Sequence, residues 1–470
     1  MRSNALIAGL IVVAILISIF SYFSLSSRIA SVGSSVEEIG EKISGLEERV
    51  SRVEQEVRGL KETMGQPVET TTPPPREIVK TEVRTETVVV EKVTLTVIGP
   101  WSGKEQEYFM EVLDSFMEKY PNITIKYVPM RAEEVARTLT VQFEAGVTPA
   151  DVVITPWAWW IVEMAKKGHV VDVTGMISED EYVPGILDNV KWGGKLWGVP
   201  FTMWLKPGFW YKKSFFQKHG LEEPKSWEEF LQLLEKIKGI PGIKNPIVSG
   251  DQVGWPLSDV TEHFLIAFGG PELQYKLISG EVKFTDPQVR EIFQRLVDLI
   301  KKGYFSEPVE WTSGVERFWA EEYALYFMGT WITGMVPDPG DLGFFPLPGA
   351  RGVVGGADYA FIPKYTENME AAKLLLKYLA TEGQAVHVST PAGKVPTWLG
   401  VSVEQLWPPM QDVFRKIKEL NMAIVPDLDD TVGGDWQTLF WDQLKLLWVQ
   451  PDKLDQVLET LAREHPSVKG

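Results

Sequence analysis

Cysteine is absent from this 470-residue chain. That absence removes disulfide frameworks, thiolate metal sites, iron–sulfur clusters and Cys nucleophiles, but it leaves the redox compartment open, because neither compartment requires cysteine. Histidine is scarce: His169, His219, His263, His387 and His465 never fall four residues apart. There is no H-E-x-x-H and no G-x-S-x-G, and residues 99–104 lack both P-loop length and the Ser or Thr that follows one. No Lys/Arg-rich run interrupts the acid excess, 47 Lys+Arg against 64 Asp+Glu for a net charge of −17. Phosphate backbones need a clustered positive face, so nucleic acid is excluded as a partner. No cofactor and no metal is implied. What the chain does have is 18 Trp. Flat aromatic faces serve either as core filler or as platforms for the apolar faces of ligands. The length suits roughly three domain-sized units at about 150 residues each.

The amino-terminal segment has no charge from Ser3 to Ser27, and residues 5–20 are almost wholly apolar. At about 1.5 Å per helical residue this stretch is long enough to cross a hydrocarbon core of about 30 Å. A cleaved signal peptide competes with this reading, but no A-x-A site follows the apolar run. Residues 1–28 are therefore expected to anchor the chain, with Arg2 cytoplasmic and everything after Ser27 outside.

Ile29, Val32, Val36, Ile39, Ile43, Leu46, Val50, Val53, Val57, Leu60 and Met64 then follow an unbroken 3-4 spacing, with charged residues filling most of the gaps from Glu37 onward. The pattern predicts a coiled coil over residues 29–64, about 54 Å long if fully helical, and with it a homo-oligomer whose strand number the a and d residues do not fix. Residues 65–91 carry Thr70-Thr71-Thr72-Pro73-Pro74-Pro75 and then alternating Thr, Glu and Val, which read as a stiff extended linker.

From Val93 the pattern alternates. Strands are expected at 93–98, 123–128 and 151–155 and helices at 105–119, 133–144 and 161–167, an interleaving that predicts parallel pairing in an open α/β sheet, with ligands beyond the carboxyl ends of the strands. Three loops at such ends, opening at Gly99, Pro156 and Pro200, all carry Trp. Further on, Ser226-Trp-Glu-Glu229 reads as a capping box and Asp286-Pro287 as a cap with a first-turn proline. Strands are expected at 324–329, 341–345 and 357–363. Helices are expected at 369–379, 404–420, 436–449 and 452–464. Two α/β lobes are the economical architecture.

Gly194-Lys-Leu-Trp-Gly-Val-Pro200, Trp210-Tyr-Lys-Lys213 and Gly220-Leu-Glu-Glu-Pro224-Lys-Ser-Trp-Glu-Glu-Phe230 stand in this order. With Met328-Gly-Thr-Trp331 and Gly355-Gly-Ala-Asp-Tyr-Ala-Phe-Ile-Pro-Lys364 they resemble the extracellular solute-binding proteins of ABC importers, in particular the sugar-binding ones similar to maltose-binding protein. The resemblance covers residues 92 to 465. It departs at Glu321-Glu322, where a Gly and a basic residue are common, and in the missing lipobox Cys, whose anchoring the membrane helix would replace. The resemblance implies a two-lobe periplasmic-binding-protein-like fold that closes by hinge bending, with crossovers near residues 199–204, near 355–358 and just after the helix at 369–379. The first lobe is then 92–203 with 357–400, and the second is 204–356 with 401–470. It also implies a sugar ligand, an oligosaccharide, and ABC permease subunits as partners.

A pyranose presents a C–H face that packs on indole and hydroxyls that need donors and acceptors. Trp101, Trp157, Trp204, Trp255, Trp331 and Trp436 are the expected platforms, each at an expected loop or strand end, although a single Trp is more often core than platform. Asp358, in a Gly-rich turn, is expected to accept hydroxyl hydrogen bonds. Glu105 and Asp251 are further polar candidates that helix capping would also explain. A glycosidase needs only two carboxylates, which 64 acidic residues could supply, so a carbohydrate-active surface enzyme is the alternative to a binding protein.

Overall fold

The computed structural model describes residues 92–147, 149–250 and 253–469. The expected membrane helix, coiled coil and linker lie outside the described residues, as does Asp251. Among the described residues no helix is long and apolar enough to cross a membrane.

Strand β1 (Val93–Gly99) alternates, with Leu95 and Val97 fully buried. The helix Gly103–Lys119 buries Phe109, Val112, Leu113 and Phe116, one stripe at i, i+3, i+4 and i+7, against the sheet. That helix is the crossover that lets β2 (Ile123–Pro129) pair parallel to β1. Strand β3 (Val152–Thr155), buried along its whole length, pairs parallel on the other side. The chain next forms a small hairpin of β4 (Lys191–Trp192) and β5 (Lys195–Leu196). It then enters β6 (Val199–Lys206), whose eight residues are all buried.

After Pro207 the chain leaves for a second sheet. There β7 (Gly208–Lys212) pairs with β9 (Leu325–Met328) and with β10 (Leu342–Phe345) antiparallel, while β8 (Ile247–Val248) pairs with β9 parallel. Helices cover this sheet and begin where the sequence places caps. Ser226 accepts from Glu229 N at 3.1 Å, while the Glu229 carboxylate accepts from Lys225 N, one residue earlier than a capping box requires. Asp286 accepts from Gln288 N at 2.9 Å.

Strand β11 (Gly352–Phe361) returns to the first sheet, antiparallel to both β3 and β6. β12 (Val395–Pro396) lies outside β6, and β13 (Ala423–Pro426) pairs parallel to the start of β11. The first sheet is therefore mixed rather than parallel, because the strand that comes back from the second lobe runs against the ones that wait for it. The first two crossovers fall on strands that contain the expected residues, and the third comes later than expected. β6 stays in the first sheet through Lys206, β11 rejoins it at Gly352, and the chain remains there beyond the helix Met369–Ala380 until β13. The helices Gly434–Val449 and Leu454–Glu464 then pack on helices of the second lobe.

Candidate functional site

Between the two sheets lies a cavity of ≈ 420 Å³. The loop after β1 brings Trp101 to it, the first turn of the helix Gly103–Lys119 brings Glu105, and the loop after β3 brings Trp157. Trp204 and Lys206 reach it from β6 and Asp358 from β11. The second lobe contributes Trp255 and Trp311 from the first residues of two helices and Trp331 from the turn after β9. Of the residues singled out in the sequence, Trp101, Trp157, Trp204, Trp255, Trp331 and Asp358 line this cavity, together with Glu105. Trp436 does not. Its indole stacks on Phe440 at 5.0 Å, packs against Phe284 and donates to the Leu461 carbonyl, so it fills the core under the last helices.

The indoles form two groups. Trp331 stands nearly perpendicular to Trp204 at 5.9 Å and at 65° to Trp255, which in turn meets Trp311 at 5.3 Å. Trp157 lies near Trp159 at 6.0 Å and Trp441 at 6.1 Å. Two glycines make room for the second group. Gly433 has φ +67° and a Cβ there would overlap Trp159, while Gly254, at φ +127°, has Trp441 where a side chain would be. Trp101 is the most enclosed of the cavity indoles, packed on Phe109 at 4.5 Å and against Phe201 and His387.

Charge is arranged around these rings. Lys206 Nζ, 4.6 Å from the Trp204 ring, donates to Asp427 at 2.6 Å and to Asp259. Burial disfavours its charge, but Asp259, Asp427, Glu262 and Asp430 outweigh that and hold the ammonium more firmly than usual. Lys394 donates to Asp358 at 2.8 Å, both side chains being buried. Burial pushes the Glu105 carboxyl up to about 7, with Lys394 opposing and Asp358 assisting. Behind Lys206, Glu262, Asp427 and Asp429 bring carboxylate oxygens within 4.8 Å of one another. Donors already serve this cluster. Ser258 contacts Glu262 at 3.0 Å and also Asp429, Leu428 N donates to Glu262 at 2.7 Å, and Trp441 Nε1 donates to Asp429 at 2.7 Å. With one Ser258 proton between two carboxyls, the network keeps further protons: burial, then Asp427, pushes Asp429 up to about 6, and Glu262 rises well above the carboxylate range. It is a hydrogen-bonded acid network rather than an open cage for an ion.

Sequence reasoning missed Lys206, Lys394, Trp311, Asp427, Asp429, Asp430 and Trp441. Asp427-Leu-Asp-Asp430 and the Trp441 helix were visible as strings, but only the return of β13 to the first sheet brings them under the cavity.

The sequence profile described as bacterial extracellular solute-binding protein matches residues 101–386. The chain belongs to that family. An ABC transporter extracellular-binding protein of Pyrococcus horikoshii is 59% identical to this binding protein over 383 residues, 81% of this chain and 90% of its own. The alpha-glucosides-binding periplasmic protein AglE of Rhizobium meliloti is 31% identical over 209 residues, 42% of this chain and 44% of its own. Among solved structures, the Thermus thermophilus maltotriose binding protein bound with maltotriose superposes with a TM-score of 0.64 at 22% identity, covering 80% of this chain and all of that one. The two-lobe fold is thus shared with solute-binding proteins of ABC transporters, whose binding domain is extracellular. They are binding proteins, not enzymes, and the glycosidase alternative is set aside.

Proposed function

We propose that this solute-binding protein captures a sugar, an oligosaccharide, between its lobes and hands it unaltered to the permease subunits of an ABC transporter. One observation carries the reading. Seven indoles and a set of buried carboxyls and ammoniums line a single cavity between two sheets joined by crossover strands. Indole faces suit the C–H faces of pyranose rings, and the charged groups between them suit hydroxyls, which both donate and accept. Trp157 on the first lobe and Trp331 on the second are the principal platforms, with Trp101, Trp204 and Trp255 beside them and Asp358 as a hydroxyl acceptor. Residues 1–28 tether the protein to the membrane, and the coiled coil of residues 29–64 with its linker holds the lobes away from the surface as an oligomer. The sugar-binding names of relatives agree with this reading.

A thermal-shift screen of neutral mono-, di- and trisaccharides tests it, because a ligand that binds only the folded chain raises its melting point by mass action. A selective shift is expected, and the same sugar should be recovered whole by chromatography after long incubation. No shift with any sugar, or the appearance of shorter products, would reject the proposal.

A further inference from the structure

We infer that the cavity is a charge filter, accepting uncharged polyhydroxyl ligands and turning away those that carry a carboxylate or a phosphate. For its natural ligand the inference rests on the sugar reading; its physics does not. Among the described residues that line the cavity, six are carboxylic acids and four are cations. Neither of the two buried cations is free to receive an anion. Lys206 is shared by Asp259 and Asp427, and Lys394 is bound to Asp358 at 2.8 Å. At the rim, Arg131 faces Glu310 across the two lobes at 3.7 Å, and Lys104 pairs with Glu107 at 2.6 Å in solvent.

The acids have no such balance. Glu105 and Asp430 line the cavity beyond the reach of a dedicated ion pair, and Glu262 adds a carboxyl behind the wall. Burial and the charges of Asp427 and Asp429 hold Asp430 well above the carboxylate range, so the walls already carry more acid than they can ionise. A carboxylate brought by a ligand meets the same desolvation and the same like charge. The negative faces of the indoles add to the repulsion. A neutral hydroxyl meets none of it, since it donates to the very groups that repel an anion.

Two readouts on the full-length chain test the filter. The first needs no sugar: quenching of cavity indole fluorescence by iodide, caesium and acrylamide. Iodide should reach the cavity indoles less well than caesium or acrylamide. Glu105→Gln, which removes an acid, and Asp358→Asn, which leaves Lys394 unpaired, should each raise iodide quenching by about twofold or more with acrylamide unchanged. Iodide quenching that equals caesium quenching and ignores both substitutions would overturn the inference. The second readout compares matched sugars by calorimetry: glucose with glucuronate, galactose with galacturonate, and maltose with its phosphorylated form. The acidic member should bind about a hundredfold more weakly, as expected for like charge brought into contact. An acidic member within about threefold of its neutral parent would also overturn it. If no member of any pair binds, the sugar reading fails, and the quenching result still decides the filter by itself.

Discussion

Trp157, after β3, and Trp331, after β9, line one cavity, and for each the alternative to a platform is a core residue. Replacing either with Ala should weaken sugar binding by about thirtyfold, on the order of 2 kcal/mol, if it is a buried anchor. Calorimetry with the sugar found by screening measures that loss. Melting of the ligand-free variants separates it from core damage, which would cost about 3–5 kcal/mol of stability instead. Glu105 makes a prediction with a sign. Its folded value lies at about 7, above an ordinary Glu, because of burial. The folded state therefore holds this proton more tightly than the unfolded chain, and the associated stability is present below the ordinary Glu range and lost as pH rises through about 7. Glu105→Gln should consequently raise the melting point at pH 8, with the gain shrinking towards pH 5; a gain that grows on acidification would contradict the assignment. At this scale the sequence was informative where position alone brings a residue to the cavity. Trp101 and Trp157 follow strand ends and could be read from the alternating pattern. Trp436, in the first turn of a helix, looks the same as a string and proved to be core. Lys206 gave no signal, because its partners Asp259 and Asp427 come from elements far along the chain.

The elements themselves were legible wherever periodicity is local. The helices at Gly103–Lys119 and Trp227–Lys238 and the strands β1 and β2 fall within two residues of where spacing and caps place them. β11 was legible only in its second half. Its first residues, Gly352-Val-Val-Gly-Gly356, carry three glycines that read as a turn, yet they lie inside the sheet, and a Cβ on Gly356 would overlap the Trp204 ring. Glycine here marks close approach rather than a bend. The same logic gives a test at the start of the helix Gly434–Val449. Gly433→Ala forces a side chain into left-handed backbone and against Trp159, so it should destabilise the chain by about 1 kcal/mol or more in urea unfolding. It should also loosen sugar binding, because Trp159 backs Trp157. Full affinity in a destabilised Gly433→Ala chain would show that the Trp157 group does not need that support.

For the whole molecule the two sheets are linked by only a few chain crossings, which is the arrangement that allows lobes to move as bodies about a hinge. The described residues, 92–469, form one compact unit. X-ray scattering from that unit should show a smaller radius of gyration after the screened sugar is added, and an unchanged radius at saturating sugar would remove hinge closure from the mechanism. The placement of β11 has another effect, on the order in which the protein comes into being. It is wedged between β3 and β6, but it is encoded after every strand of the second sheet. As the chain emerges amino end first, β1, β2 and β3 wait with a neighbour missing while the second sheet can already close. Contacts between residues so far apart in sequence form slowly. Pulse-labelled hydrogen exchange during refolding should therefore protect amides of β7, β9 and β10 before those of β3 and β6. A chain bound for the outside of a cell thus cannot complete its first sheet until its last quarter has arrived.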